Sequence, residues 1–398
     1  MIKIVISSIP MFVTAFWSIV LLLEYKNANK SKVFLGVFML ISFLLYVGHA
    51  SYFNQEYSFY AFWENIYLLC SLAVYPLYFI YIKLISQKMV LEIKDFLLLI
   101  PSVLMFVFSL ILYVNMTSED KVIFTQDILY HNITPEYNDL SMVLKLQIIK
   151  IKLFKLIFFI QLFPIVFLGR KYILEYNKKI RNYYSDTEGK TLNHFNKLLY
   201  IFIITSLASS VANVMGKSFF VHSTWLLLIP ALIFGFLLFL IGYIAYNQEF
   251  TLQSYIYDIK SDEVRTGHNE GIRIHNIHSD NNQTRLLEDL IFLLEKEEIY
   301  KKTDLRITDI SNKLNTNRTY ISKVVNEDLN TNFCDLINKY RIENAKKLLK
   351  ENDCKSMGLS QIGELSGFKS DSSFYRIFKE KEGISPGDFR KTDNSDCD

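Results

Sequence analysis

The sequence has little cysteine and lacks the short motifs of the common catalytic and metal sites. Its four cysteines show neither CxxC nor metal-ligand spacing, so we expect free thiols in a reducing compartment at Cys70, Cys334, Cys354 and Cys397. The apolar residues 1–246 contain no HExxH zinc motif, no GxSxG nucleophile motif and no phosphate-binding P-loop. The remaining polar part lacks the length and the glycine motifs of a kinase ATP-binding domain. We therefore expect a protein that is not an enzyme and that holds no metal ion and no cofactor.

Apolar residues, in contrast, are abundant and are concentrated in the N-terminal part. Hydrophobic residues make up 51% of the 398 positions, but residues 247–398 have the composition of an ordinary soluble domain. A helix needs about 20 apolar residues to cross a bilayer. Stretches of about that length predict seven transmembrane spans, at residues 4–23, 33–53, 60–84, 96–115, 153–174, 197–219 and 225–246. We therefore expect a bundle of transmembrane helices embedded in membrane lipid.

The lysines and arginines between these spans alternate from loop to loop, and that alternation predicts the topology. The basic loops contain Lys26, Lys30 and Lys32, then Lys83, Lys88 and Lys94, then Arg170, Lys171, Lys178, Lys179, Arg181 and Lys190. Loop 54–59 has no basic residue, and loop 116–150 is acidic over most of its length. Because basic loops stay on the cytoplasmic side, we expect a multi-pass protein of the bacterial inner membrane. Its N-terminus would lie outside and its C-terminal part in the cytoplasm.

The polar C-terminal part contains a pattern of two short helices joined by a turn. Ile310 and Leu314 lie four positions apart and share one helix face. Residues 315–317 suit a turn and the cap of a following helix, and Ile321 and Val325 of that helix would pack on the first one. Its outer face would present short polar and cationic groups that can reach base edges and phosphates. These residues are Thr319, Ser322, Lys323 and Asn326.

A weaker second copy of the pattern follows further along the chain. Ile362 takes the place of the first apolar residue, and Phe374 and Phe378 take the places of the later pair. Gly367 suits the left-handed residue that ends a helix, and Ser370 suits the N-cap of the next helix. The outer face of this helix would present Asp371, Ser372, Tyr375 and Arg376. Two helix-turn-helix units on one frame are typical of a DNA-binding module.

The residues between the two units keep a helical period and predict one connecting helix over 333–350. Such a helix would be about 27 Å long at 1.5 Å per residue. Successive major-groove faces of a duplex lie about 34 Å apart. With the width of the flanking units added, we expect the two recognition helices to reach adjacent turns of one DNA face.

This segment resembles the DNA-binding domain of the AraC/XylS family of transcription regulators, over about a quarter of the chain. The resemblance rests on a spaced set of residues: Tyr340, Arg341, Ile342, Ala345, Leu348, Leu349, Ile362, Gly367, Phe368, Phe374, Arg376, Phe378, Lys379, Gly383, Ser385, Pro386, Phe389 and Arg390. Two departures are Ser311 and Gly363, which stand where the family usually carries alanine. Glycine at such a helical position should cost about 1 kcal/mol of helix propensity.

The resemblance implies a partner, double-stranded promoter or operator DNA, and a set of contact residues. In the family both recognition helices contact bases. By matching position, the contacts in the first unit would be Thr319, Ser322 and Lys323. Those in the second unit would be Asp371, Ser372 and Arg376.

These patterns predict an all-α fold, with a polytopic transmembrane helix bundle followed by a cytoplasmic domain of two helix-turn-helix units. We place the transmembrane domain at 1–246, a polar linker at 247–283, the DNA-binding domain at 284–391 and a disordered tail at 392–398. The linker is rich in Asn, His, Asp and Ser, which is more typical of a flexible connector than of a metal site. Its histidines are His268, His275 and His278.

Polar residues near the predicted outer ends of four spans indicate a candidate ligand site, because polar groups inside a membrane often mark function. They are His49, Glu64, Asn65, Asn213, Lys217, His222 and Trp225. The alternative is that they lie at the interface or form hydrogen bonds between helices.

Three hypotheses about function follow, and the first is preferred. It is a one-component sensor, in which the membrane domain detects an unknown signal and the tethered unit binds a promoter. We expect that signal to change the pairing of two protomers through the linker, as in a homodimer. The second hypothesis is a transporter or membrane enzyme with a regulatory DNA-binding tail. The third is a pure membrane anchor for the regulator.

Overall fold

The computed structural model describes residues 2–23, 30–87, 91–131, 140–215, 224–265, 280–351 and 357–392. Within these ranges the regular structure is helical and no β-strand forms, so the predicted all-α class is confirmed. The chain divides into two compact units. The first comprises Met1–Leu174 and Leu192–Leu252, and the second comprises Glu175–Thr191 and Gln253–Asp398.

The first unit is built mainly from long apolar helices. They are α1 (Ile2–Leu23), α2 (Lys30–Phe53), α3 (Tyr57–Ser86), α4 (Ile100–Asn115), α5 (Ser118–Val122), α6 (Met142–Tyr183), α7 (Asn193–Met215) and α8 (Thr224–Asn247). A 3₁₀ segment, Ile93–Leu99, leads into α4, and a π-helical segment, Ile123–Tyr130, follows α5. Helix α1 packs against α2 and α8, while α3 packs against α2 and α4.

Six helical stretches in the described part of the chain are long and apolar enough to cross a membrane. They contain α1, α2, α3, α4, α6 and α8, and they coincide with six of the seven predicted spans. The remaining predicted span, 197–219, overlaps α7, which is not among the six. Its positions 216–219 lie outside the described residues. The seventh span therefore stays a prediction.

Hydroxyl groups inside these apolar helices bond to the carbonyl one turn earlier. The Thr14 hydroxyl donates to the Pro10 carbonyl at 2.8 Å, and the Ser42 hydroxyl donates to the Phe38 carbonyl at 2.9 Å. Such bonds satisfy a buried hydroxyl without a partner on another helix. The outer surfaces of these helices can therefore remain apolar.

Helix α6 is much longer than a single membrane crossing. Its 42 residues correspond to about 63 Å at 1.5 Å per residue, against about 30 Å of bilayer hydrocarbon. The residues from Glu175 onward belong to the second compact unit. One continuous helix therefore contributes to both units.

The second unit is built from shorter helices. They are α9 (Leu252–Arg265), α10 (Asp280–Glu295), α11 (Ile307–Lys313), α12 (Arg318–Lys323), α13 (Phe333–Lys350), α14 (Leu359–Leu365), α15 (Asp371–Glu382) and α16 (Pro386–Thr392). A 3₁₀ turn, Ile299–Lys301, precedes α11, and a π-helical turn, Val324–Asp328, continues α12. The helix predicted over 333–350 is confirmed as α13.

Part of the predicted linker 247–283 is helical, which its polar composition did not indicate. Helix α9 occupies 252–265, where Leu252, Ile256 and Ile259 recur at helical spacing. Helix α10 begins at the end of the linker, whereas residues 266–279 lie outside the described part. The proposed domain boundaries and the tail 392–398 stay predictions.

Free thiols are confirmed at the two described cysteines, Cys70 and Cys334, and both are buried. Cys354 and Cys397 lie outside the described residues, as do the three linker histidines. Within the ranges that the structure covers, no group of three or more His, Cys, Asp or Glu is arranged to hold a metal ion.

Candidate nucleic-acid interface

The first helix-turn-helix unit consists of α11 and α12, joined by a turn with two defined hydrogen bonds. Asn315 adopts a left-handed conformation with φ of 50°. Its N–H donates to the Asn312 carbonyl at 3.1 Å, and the Thr316 N–H donates to the Ser311 carbonyl at 2.8 Å. This pair of bonds is the Schellman motif. Asn317 then caps α12 by accepting a hydrogen bond from a backbone N–H two residues on, at 2.8 Å, as predicted.

The second helix-turn-helix unit consists of α14 and α15, and its turn has the same geometry. Gly367 is left-handed with φ of 90°, and its N–H donates to the Glu364 carbonyl at 2.9 Å. The Phe368 N–H donates to the Gly363 carbonyl at 3.0 Å, which completes a second Schellman motif. Ser370 caps α15 through its hydroxyl. The predicted roles of Gly367 and Ser370 are confirmed.

Two glycines in the second helix-turn-helix unit are required by space, and one of them, Gly367, is also required by its left-handed conformation. A Cβ at Gly367 would lie 2.6 Å from the Tyr300 carbonyl oxygen, which is backbone and cannot move aside. A Cβ at Gly363 would lie 2.9 Å from the ring of Phe374, which is fully buried. The departure from alanine at 363 therefore reflects close packing of α14 on α15.

Apolar residues of both units form the core that the sequence predicts. Ile310, Ile321 and Val325 are fully buried in the first unit. The core of the second unit contains Ile342, Ala345, Leu349, Ile362, Phe368, Phe374, Ile377 and Phe378. Because these apolar residues face inward, the polar faces of α12 and α15 are exposed to solvent.

Arg341, on the connecting helix α13, is a buried cation that ties several segments together. Its guanidinium donates to the Tyr300 carbonyl at 2.8 Å, the Lys302 carbonyl at 2.7 Å and the Ser185 hydroxyl at 3.2 Å. Burial lowers the pKa of Arg341 to about 10. The guanidinium also stacks over Phe368 of the second unit, 5.8 Å from the ring centre. Arg341 therefore helps to fix the frame on which both units are mounted.

The predicted contact residues of the first unit lie on its accessible side. Thr319 and Lys323 are exposed, and Ser322 is half-buried. The Ser322 hydroxyl accepts a hydrogen bond from Asn326 at 3.0 Å. Lys323 lies 3.9 Å from Glu327, one turn later. An exposed pair at that distance contributes little energy, so Lys323 can exchange Glu327 for another anion.

The predicted contact residues of the second unit are exposed along the first two turns of α15. They are Asp371, Ser372 and Arg376. Asp371 accepts a hydrogen bond from the Ser360 hydroxyl at 2.6 Å, and Arg376 lies 3.9 Å from Glu380. The helix offers a cation, a carboxylate and hydroxyls on one face, and groups of these kinds contact base edges and phosphates in DNA-binding helices.

One acidic residue that the sequence did not single out lies at the N-terminus of α15. The Glu188 carboxylate accepts hydrogen bonds from the hydroxyls of Ser370 and Ser372, each at 2.6 Å. These two bonds lower the pKa of Glu188, and the charges of Arg376 and Lys190 lower it further against the opposing effect of burial. Residues 188 and 372 are far apart in the chain, so no local pattern could indicate this contact.

Helix α9 brings further carboxylates to the first unit. The guanidinium of Arg306 lies 3.1 Å from Asp262 and 3.2 Å from Asp258. The Thr308 hydroxyl, in the first turn of α11, donates to Asp262 at 2.9 Å. The acidic residues of the predicted linker therefore hold the start of the first helix-turn-helix unit.

Two of the predicted ligand residues in the apolar unit form a buried polar cluster. The Lys150 ammonium lies 2.8 Å and 3.1 Å from the Glu64 carboxylate oxygens and donates to the Ser109 hydroxyl at 3.0 Å. The Ser109 hydroxyl donates in turn to Asn65 at 2.6 Å. A lysine just before an apolar span can often extend to the membrane interface. Lys150 does not, because its side chain is fully buried against Glu64.

Another predicted ligand residue, His49, contacts aromatic rings. The His49 ring stacks between Tyr46 and Phe53, with ring centres 5.6 Å and 5.7 Å apart. The side chain of Asn213 and the whole of Lys217 and His222 lie outside the described residues. A common ligand site for all of them therefore stays a prediction.

Comparison with known proteins places a match on the same C-terminal segment. A family model described as a helix-turn-helix domain matches residues 310–392. The uncharacterized HTH-type transcriptional regulator YtdP of Bacillus subtilis is 28% identical over 120 residues, which are 30% of this chain and 15% of that protein. The Msm operon regulatory protein of Streptococcus mutans is 30% identical over 89 residues, 22% of this chain and 31% of that protein.

A third relative is the raffinose operon transcriptional regulatory protein RafR of Pediococcus pentosaceus. It is 30% identical over 90 residues, which are 23% of this chain and 31% of that protein. The chain therefore spans less than a third of the length of these curated relatives. No solved structure matches the chain.

Proposed function

We propose, on the premise that the C-terminal part is an AraC-type helix-turn-helix domain, that the chain is a membrane-tethered one-component transcription regulator. The observation that carries this proposal is a combination within one chain. Two helix-turn-helix units with the same pattern of turn hydrogen bonds share one frame. In the described part of the chain, six helices that are long and apolar enough to cross a membrane precede them. The DNA-binding activity would be coupled to a signal sensed by the membrane domain.

In this proposal α12 and α15 each enter the major groove of duplex DNA. Thr319, Ser322 and Lys323 would contact DNA from α12, and Asp371, Ser372 and Arg376 would do so from α15. The planar guanidinium of Arg376 suits a bidentate contact with guanine. Ser372 lies in the first turn of α15, where hydroxyls and free N–H groups suit a backbone phosphate.

The proposed position of the protein is the bacterial inner membrane, with the DNA-binding domain in the cytoplasm. The alternating basic loops support this orientation, and DNA binding requires the same side. A reporter enzyme fused after Asp398 should be active in the cytoplasm, and one inserted near Tyr130 should be active outside. The full-length protein should also fractionate with the inner membrane and resist extraction by salt. The reverse reporter pattern would contradict the topology.

The signal would act through the polar cluster of Glu64, Asn65, Ser109 and Lys150. Ionisable residues inside an apolar helix bundle are costly and often functional. Glu64→Gln should therefore change the transcriptional response of the full chain while leaving the DNA affinity of its C-terminal domain unchanged. A response that is indifferent to this substitution and to His49→Ala would favour a pure membrane anchor.

The same buried ion pair is the observation that favours the second candidate function, a transporter or membrane enzyme with a regulatory tail. A transport site would have to release Lys150 from Glu64 during each cycle. Uptake of candidate solutes into vesicles that contain the protein, compared with vesicles that contain the double variant Glu64→Leu with Lys150→Met, separates this candidate from the sensor.

A further inference from the structure

The first turn of the second recognition helix is occupied by a carboxylate of the same chain. Glu188 accepts hydrogen bonds from both Ser370 and Ser372. The Ser370 hydroxyl also caps α15 by accepting the Ser373 N–H at 3.2 Å, so the carboxylate lies at the positive end of a 12-residue helix. Arg376 lies one turn further along and interacts electrostatically with the same carboxylate.

Glu188 lies in a turn that is stabilised by hydrogen bonds within the turn itself. We refer to residues 185–190 as the Glu188 loop. The Asp186 carboxylate accepts the Glu188 N–H at 3.0 Å, and the Lys190 N–H donates to the Thr187 carbonyl at 3.1 Å. Gly189, with φ of 69°, allows the chain to reverse. The carboxylate is therefore held by a structured turn, although its side chain faces solvent.

The base of this loop is anchored to the same domain. The Ser185 N–H donates to the Leu305 carbonyl at 3.0 Å, and the buried Ser185 hydroxyl accepts from Arg341. The Cys334 thiol lies 3.4 Å from the Ser185 carbonyl oxygen. The hydrogen bonds at the base of the Glu188 loop are buried, whereas those of Glu188 at its tip are exposed. Of the contacts that hold this loop to the domain, those of Glu188 are therefore the weaker ones.

A carboxylate held by two hydroxyls, one helical turn from an arginine, has the chemistry of a bound DNA phosphate. Both are anions with planar or tetrahedral oxygen acceptors, and both are favoured by hydroxyl donors, a guanidinium and a helix N-terminus. The two anions cannot use the same donors at once. A phosphate that approached the turn without displacing Glu188 would also meet a like charge.

We propose that Glu188 is an autoinhibitory competitor that occupies the phosphate-binding turn of α15 and must leave before that turn can engage DNA. This inference rests on the proposed DNA-binding function and adds a means of regulation to it. The Glu188 loop connects α6 and α7 directly in the chain. A movement of either helix would therefore be transmitted to Glu188 without passing through the linker before α10.

The test uses the full-length protein in lipid nanodiscs and a fluorescent duplex pool of random sequence at low salt. This probe reports phosphate contacts, which are largely independent of sequence. Glu188→Gln removes the competing charge and Glu188→Ala also removes the bonds. The matched control is Glu364→Gln, which neutralises an exposed carboxylate of the same helix-turn-helix unit on α14. We expect both Glu188 variants to bind about threefold to tenfold more tightly than the control variant.

A double-mutant cycle with Ser372→Ala separates competition at α15 from a general charge effect. When the Ser372 hydroxyl is absent, Glu188→Gln should tighten binding by a smaller factor than it does in the wild-type background. Equal affinities for Glu188→Gln and Glu364→Gln, or an effect of Glu188→Gln that is unchanged in the Ser372→Ala background, would overturn the autoinhibition. Failure of the wild type and of both Glu188 variants to bind any duplex would instead overturn the DNA-binding function itself.

Discussion

Removal of the Lys150 ammonium should destabilise the apolar unit strongly, because it leaves the Glu64 carboxylate buried without its cation. The lysine side chain is fully buried, and that of Glu64 is 6% exposed. The Ser109 hydroxyl lies 3.4 Å from the carboxylate but donates its one proton to Asn65 at 2.6 Å, so it does not replace the ammonium. Breaking a buried ion pair by removing one partner costs about 3–5 kcal/mol. We therefore expect Lys150→Met to lower the free energy of unfolding by about that amount.

Removal of both charges should cost much less. In the double variant Glu64→Leu with Lys150→Met no buried charge is left unpaired, and apolar replacement of a whole buried pair is often neutral or stabilising. The losses of unfolding free energy in the single variants Glu64→Leu and Lys150→Met give a sum. The loss in the double variant should be smaller than that sum by at least about 2 kcal/mol.

The assay is chemical unfolding of the detergent-solubilised full-length protein, followed by tryptophan fluorescence. The matched control is Lys152→Met, which removes an exposed lysine from the same helix and should change the unfolding free energy by less than about 0.5 kcal/mol. A loss for Lys150→Met no larger than that of the control would refute the reasoning. Additive losses in the double variant would refute it as well.

Four further predictions concern the second compact unit, which contains both helix-turn-helix units. Gly363→Ala should gain about 1 kcal/mol of helix propensity but lose about 1–3 kcal/mol to overpacking, so hydrogen exchange in α14 should become faster; slower exchange would contradict the packing argument. Arg376→Ala should weaken specific operator binding by about 1–3 kcal/mol and Lys301→Ala should not; equal effects in titrations would mean that the contact surface is misplaced. Fusion of the fragment 284–398, which lacks Glu188, to an unrelated dimerising domain should strengthen its operator binding relative to the unfused fragment; equal affinities of the fused and unfused fragments would exclude paired half-sites. Burial raises the pKa of the Cys334 thiol to about 11, so mass spectrometry should find it unalkylated by iodoacetamide near neutral pH until the domain unfolds.

Local features of the helix-turn-helix units could be predicted from the sequence because their causes are local. Asn317 and Ser370 cap helices through bonds to residues two or three positions away. Gly367 ends α14 because a left-handed residue is needed there. The apolar period over 333–350 is likewise a property of neighbouring residues. In each case the residue type and its immediate neighbours contain the physical reason.

Contacts between distant segments could not be predicted in this way. Lys150 and Glu64 pair across two helices, and the lysine alone has the pattern of a residue that extends to an interface. Glu188 has the pattern of an ordinary exposed loop residue. The helical part of the linker was also missed, because its polar composition conceals an apolar face that includes Leu252. These features depend on which helices become neighbours, and periodicity along one segment does not contain that information.

The most direct test of the proposed function uses membrane vesicles of known orientation. Inside-out and right-side-out vesicles that contain the full-length protein are mixed with random-sequence duplexes, pelleted, and the retained DNA is sequenced. A membrane-tethered regulator with a cytoplasmic DNA-binding domain should enrich one sequence motif on inside-out vesicles only. Arg376→Ala should weaken that enrichment. No motif above the level of vesicles without the protein, or the same motif on right-side-out vesicles, would contradict the account.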